Sequence, residues 1–240
     1  MSITCKNCGN VFEGNYCSNC GQAADTHKIN SSFLVHDLQH GLMHVDGGIF
    51  YSARELFRRP GYAIRDYIEG RRARHYKPLS MLIVIATFYG LLYHALHINL
   101  FKGIDDGFLE YDEINEWIAH RFAYITLLLL PVMSLSSYLI FKKQGYNFTE
   151  HLILNSFCST QKLWIRLITL PLLLIKDSQQ TIIQLLLVVD FALLFWCYVQ
   201  FFGKLPKLKV FFLTLLSAVL NLFIMSVIVT LVLAFFMENK

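Results

Sequence analysis

Charge is scarce in this sequence. Asp, Glu, Lys and Arg together make up 16% of 240 residues, against 55% hydrophobic residues. That balance excludes a disordered chain and points away from an ordinary soluble domain. The scarcity is uneven. Leu79–Leu96, Phe122–Phe141 and Val210–Met237 hold no charged residue at all. An apolar core is also missing from the first 20 residues, so the sequence offers no signal peptide and leaves targeting to its first apolar run. No repeat of 20–50 residues and no low-complexity tract is present. G-x-S-x-G, P-loop, G-x-G-x-x-G and H-E-x-x-H motifs are all absent, so no motif fixes a nucleophile–base pair. His94 and His97 near the end of the first apolar run, with Ser134, Ser136 and Ser137, are the nearest approach to one. The non-catalytic reading is preferred, with a membrane-embedded enzyme kept as an alternative.

What is present is a series of five apolar runs. Leu152–Ile175 and Thr181–Phe202 join the three uncharged ones, although both carry internal charge. About 20 apolar residues span the roughly 30 Å hydrocarbon core as a helix. The runs are apolar on every face, unlike the helices of a soluble bundle. The expected fold is therefore an all-α integral membrane protein. It comprises a five-helix bundle over residues 79–240, a small N-terminal cytosolic zinc ribbon over 1–24, and amphipathic, interfacial helices with a basic juxtamembrane segment over 25–78. Lys and Arg set the orientation. Eleven of them (Arg59, Arg65, Arg71, Arg72, Arg74, Lys77, Lys142, Lys143, Lys204, Lys207 and Lys209) fall on one side of this five-span arrangement, and four (Lys102, Arg121, Lys176 and Lys240) on the other. The expected location is a cytoplasmic membrane, with the N-terminus inside and the C-terminus outside.

Cys5-x-x-Cys8-Gly9 and Cys17-x-x-Cys20-Gly21 form two turns, each placing two thiolates on one side of a tight loop. The glycine after each pair allows the positive φ such a turn needs. Together they make a tetrahedral sulfur set for a structural Zn²⁺. A cytosolic location disfavours two disulfides instead. With four thiolates no coordination position stays open. So short a module depends on its metal to fold, and with few contacts to the bundle its loss should leave the spans intact.

Between ribbon and membrane, a helix from Ser31 or Ser32 to Val45 places His36, His40 and His44 on one face, opposite Leu34, Leu38 and Leu42. That stripe is either a solvated face or a second metal site to which Asp46 adds oxygen. Ile49–Arg58 and Tyr62–Glu69 read as two further short helices, broken at Pro60-Gly61 and at Gly70. Arg71, Arg72, Arg74 and Lys77 then stand where anionic head groups would be. Residues 1–28 balance Lys6 and Lys28 against Glu13 and Asp25, so the ribbon lacks the basic footprint of a nucleic-acid binder. Glu110–His120 reads as a short acidic helix before the second span, and Pro131 predicts a kink within that span.

The third span carries Asn155, Ser156, Ser159, Thr160, Gln161, Lys162 and Arg166, which must turn away from lipid. Asp190 lies in the fourth span. Counted from the short connection between them, Arg166 and Asp190 fall at the same depth, where opposite charges can pair. Such a pair either fixes helix register or opens to bind an anion or proton.

The stretches CKNCG…YCSNCGQ, RRPGYAIRDYIEGRRARHYKPLSML and NFTEHLILN resemble an uncharacterised bacterial family of zinc-ribbon membrane proteins, a domain of unknown function. The resemblance implies a ribbon and a membrane location, and no activity. The five-span layout also resembles the topology of Yip1-type proteins. Two functions follow from these readings. One is a scaffold or adaptor whose ribbon binds a protein partner, or a further copy of the chain. The other is a small oligomeric transporter using the polar face of the third span.

Overall fold

The computed structural model describes residues 2–26, 29, 48–99, 111–175 and 179–238, with the side chains of 111 and 231–238 excepted. The stripe of His36, His40 and His44, and the helix proposed to carry it, lie outside the described residues.

The chain opens with a two-stranded antiparallel hairpin, β1 (Ile3–Thr4) and β2 (Val11–Phe12), in which Ile3 pairs with Phe12 and Thr4 with Val11. Two short helices follow, α1 (Gly48–Arg58) and α2 (Pro60–Ile68). Pro60 stops α1 and opens α2, where its missing N–H costs nothing in the first turn. Next come α3 (Pro78–Ala95), α4 (Tyr111–His120), α5 (Phe122–Phe141), α6 (Phe148–Thr169), α7 (Gln179–Phe201) and α8 (Lys207–Glu238). Pro131 lies inside α5, which continues through it. Short 3₁₀ turns extend α5 over Lys142–Gln144 and α6 over Leu170–Leu174.

Four helices, α3, α5, α7 and α8, are long and apolar enough to cross a membrane. That marks a multi-pass membrane protein, with four such helices where the apolar runs predicted five. The fifth run is α6. At 22 residues it is about 33 Å long, but its composition is polar. The reason is its position. Its first half is buried, packed by α3, α5 and α7 and also by α1 and α2. A helix segment enclosed by other helices can carry polar side chains, provided they find partners. The apolar faces point outward instead. Leu185, Leu187 and Val188 of α7 and Leu215, Leu216 and Val219 of α8 are exposed, as lipid-facing residues are.

Burial of α1 and α2 departs from the expected interfacial helices. Ile49 and Leu56 of α1 and Ala63, Ile64 and Tyr67 of α2 belong to the same core as α3, α6 and α7. The α2–α7 crossing is close because of Gly61. Its N–H donates to Gln200 Oε1 at 3.2 Å, and a Cβ here would stand 2.3 Å from Cys197 O and from Phe201 N. Arg65, one turn on, donates to the carbonyls of Gln200 and Phe201 at the end of α7, where the helix leaves its last acceptors unpaired. Since the obstructing atoms are backbone, α2 must move to accept any side chain at 61. Gly61→Ala should cost about 3 kcal/mol, read as a fall in thermal unfolding midpoint of the purified protein. The same change at Gly145, where nothing lies within 4 Å but φ is +84°, tests backbone strain alone and should cost about 1 kcal/mol.

Candidate metal centre

The two Cys-x-x-Cys turns fold alike. Cys5 N–H donates to Asn10 O and Gly9 N–H to Cys5 O; Cys17 N–H donates to Gln22 O and Gly21 N–H to Cys17 O, all within 2.8–2.9 Å. Gly9 and Gly21 close the loops at φ of 74° and 73°, a conformation that suits glycine. The turns face one another. Cys5 Sγ lies 3.6 Å from Cys20 Sγ, and Cys8 Sγ 3.6 Å from Cys17 Sγ. All four sulfurs lie within 4.8 Å of each other, so they can hold a metal ion. Four thiolates at ~2.3 Å from one ion stand about 3.8 Å apart, close to the spacing seen. Burial pushes the Cys5 thiol up to about 11. At Cys17 burial is outweighed by the backbone N–H groups of Asn19 and Cys20 and by the neighbouring thiols, and the thiol falls to about 6.

The ribbon is joined to the bundle, contrary to the expectation of an independent module. Gln22 is buried, and its Oε1 accepts from the backbone N–H groups of Arg72 and Ala73 at 2.9 and 3.2 Å. Lys6 and Thr26 close over Gly70. A polar cleft of about 440 Å³ lies along this seam, walled by Cys8 and Cys20 on one side and by Arg59, Arg71, Arg74 and His75 on the other. A divalent ion on four thiolates leaves a formal charge near −2, and the arginines supply the opposite sign beside it. Burial pushes His75 down to about 4 and keeps it neutral, with Nδ1 3.4 Å from Ser52 Oγ and Tyr51, Tyr67 and Phe157 around the ring.

The four residues proposed for lipid contact divide. Arg71 pairs with Asp66 at 2.9 Å. Arg72 donates to Tyr67 O and lies over the Tyr67 ring. Arg74 is exposed and Lys77 half-buried at the foot of α3. Deeper in, Arg166 Nη2 lies 2.6 Å from Asp190 Oδ2, bridging α6 and α7. Arg166 Nε and Asp190 Oδ1 are buried without a hydrogen-bond partner among the described residues.

Much of the polar row of α6 is met by its neighbours, while His151 Nε2 and Trp164 Nε1 are buried without a hydrogen-bond partner among the described residues. Asn155 donates to Ser137 Oγ at 2.8 Å and accepts from Tyr198 OH at 3.0 Å. Ser156 donates to Pro78 O, and Gln161 to Leu56 O. Ser137 also meets His151 Nδ1 at 3.0 Å. Thus Ser137 pairs with a histidine at the ribbon end of the bundle, while His94 stands in the last turn of α3 at the opposite end. Sequence spacing carried no signal for His151, Gln22 or Tyr198, because their partners lie 14, 50 and 43 residues away on other elements.

A family model described as "Protein of unknown function (DUF3667)" matches residues 46–90. Those residues run from α1 to the middle of α3 and hold the arginine wall of the cleft. No curated protein and no solved structure matches the chain.

Gln22 should therefore control access to residues 71–74. In metal-loaded protein, tryptic cleavage there should be slow. Removing the ion with a chelator, or Gln22→Ala with the ion retained, should speed it at least tenfold, followed by mass spectrometry of the fragments. Equal rates in all three samples would show a ribbon that is not latched.

Proposed function

We propose that the protein is a non-catalytic membrane scaffold, whose zinc ribbon is held rigidly at the cytoplasmic face and binds a protein partner. The observation that carries this reading is the ribbon's mounting: Gln22 fixes it to the loop after α2, and so through α2 to α6 and α7. The mounted ribbon also leaves Val11 and Tyr16 61% and 69% exposed. A rigidly mounted module loses little freedom when a partner docks.

Zinc is the proposed ion, since four cysteines in two knuckles suit its tetrahedral, sulfur-rich preference and leave no open position for catalysis. We assign α6 as a fifth crossing because it runs the length of the bundle between α5 and α7. Five crossings put the two termini on opposite faces. From the excess of Lys and Arg on one side we infer that the ribbon lies on the cytoplasmic side of a bacterial inner membrane. Exposed Lys142, Lys143, Lys204, Lys207 and Lys209, with Arg74, ring the ribbon end and contact anionic head groups there. A second reading, transport, rests on the Arg166–Asp190 pair and its unpartnered atoms.

Site-specific photocrosslinking in cells tests the scaffold. A crosslinker at Tyr16 should give one discrete adduct of defined mass, lost in Cys17→Ser, while one at Leu96 at the opposite end should not give it. A mass of twice the chain would make the partner a second copy. The same adducts from both positions, or none from Tyr16, would contradict a ribbon-mounted partner.

A further inference from the structure

The end of the bundle far from the ribbon holds a second cluster of metal-ligating residues. His94 lies in the last turn of α3 and His97 just beyond it, three residues on. Glu116 and His120 lie on α4, four residues apart, and so on one face of that helix. The helices are fixed against each other by a buried polar network. Tyr93 OH donates to Asn115 Oδ1, Asn115 Nδ2 donates to Ile98 O at 2.8 Å, and Asn99 donates to Asp112. Gln179 Nε2 secures the same segment by donating to Asn99 O at 2.6 Å. Gly90 lets the α4–α5 corner approach, since a Cβ there would meet Phe122 Cβ at 2.9 Å.

This scaffold places two imidazoles beside His94. The ring centroids of His94 and His120 are 4.1 Å apart, and those of His94 and His97 6.2 Å apart. Two imidazoles on one tetrahedral ion, with metal–nitrogen bonds of ~2.0–2.1 Å, have centroids about 5 Å apart. Both observed separations lie about 1 Å from that value, one on each side, so His97, His120 and Glu116 must turn to share an ion with His94. His97 and His120 are exposed and free to turn. His97 holds φ at +49°, the left-handed conformation that helix ends ordinarily assign to glycine. A cleft of about 250 Å³ is lined by His94, His97, Asp112 and Glu116, so carboxylates face the same space as the rings. An apolar cleft of about 430 Å³ between α3 and α5 begins at His94 and His120, giving one flank of the cluster a low dielectric.

We propose that His94, His97, His120 and Glu116 form a second metal site, for a divalent transition-metal ion. Three nitrogens and one carboxylate oxygen suit zinc, cobalt or nickel and are a poor set for calcium or magnesium. The site differs in kind from the ribbon. Three of its ligands, His97, Glu116 and His120, are exposed and His94 is half-buried, with room for water or another ligand, while the ribbon's are four sulfurs in a closed set.

Cobalt titration of the full-length protein in nanodiscs, with the ribbon's own ion in place, tests this by absorption spectroscopy. One equivalent of Co²⁺ should bind beyond the ribbon and show d–d bands without thiolate charge transfer. His94→Ala/His120→Ala should weaken it at least 100-fold, with the ribbon's metal content unchanged as the control for folding. Glu116→Gln should weaken it less, because nitrogen ligands remain. Cys17→Ser should leave the added equivalent intact. Equal uptake by wild type and the double histidine variant, uptake with thiolate bands only, or no uptake at millimolar Co²⁺ would overturn the proposal.

Discussion

Burying the polar row of α6 is the constraint on which the rest of the structure depends. A helix carrying His151, Asn155, Ser156, Thr160 and Gln161 cannot stand in lipid, because each unpaired donor or acceptor there costs several kcal/mol. Four neighbours of α6 therefore contribute an acceptor or donor: Ser137 from α5, Tyr198 from α7, Pro78 O from α3 and Leu56 O from α1. The last of these explains why α1 and α2 leave the interface and enter the core. Without them, the Gln161 side of α6 would face hydrocarbon.

Once α1 and α2 are part of the bundle, the ribbon acquires a rigid mount. Their Arg59, Asp66 and Arg71 form a connected ion pair set at the cleft, with Arg59 Nη1 3.0 Å and Arg71 Nη1 2.9 Å from the two Asp66 oxygens. Exposed ion pairs contribute little to stability on their own. Here they orient guanidinium groups toward a thiolate cluster whose charge depends on its metal. The ribbon's four-cysteine cluster, the loop after α2 and the packing of α2 on α7 are thereby parts of one continuous assembly.

Particular residues show what the sequence could convey. Uncharged runs announce α3, α5 and α8 because lipid imposes composition directly on length. Cys5, Cys8, Cys17 and Cys20 announce a metal cluster because ligand spacing is local. Arg166 and Asp190 fall at one depth by a simple count from a short turn, and their side chains are 2.6 Å apart. The fifth run was harder to place. Its polar residues were legible as facing inward, but what they faced was not, since Gln161 and Leu56 lie 105 residues apart and no local pattern links them. Gln22 reads as the tail of a cysteine motif; its buried side chain serves residues 72 and 73. His94, His97 and His120 carry no signature as a set, because the pairing depends on how α4 folds back over α3.

Hydrogen–deuterium exchange on the protein in nanodiscs tests most directly whether α1 and α2 are core elements held by α6. The account predicts that amides of 50–58 and 62–68 are protected as strongly as those of 151–161. It also predicts that Asn155→Leu, which removes the acceptor of the Tyr198 hydroxyl and a partner of Ser137, raises exchange in both regions together. Fast exchange of α1 and α2 in the unaltered protein, at the rate of solvated interfacial helices, would contradict it.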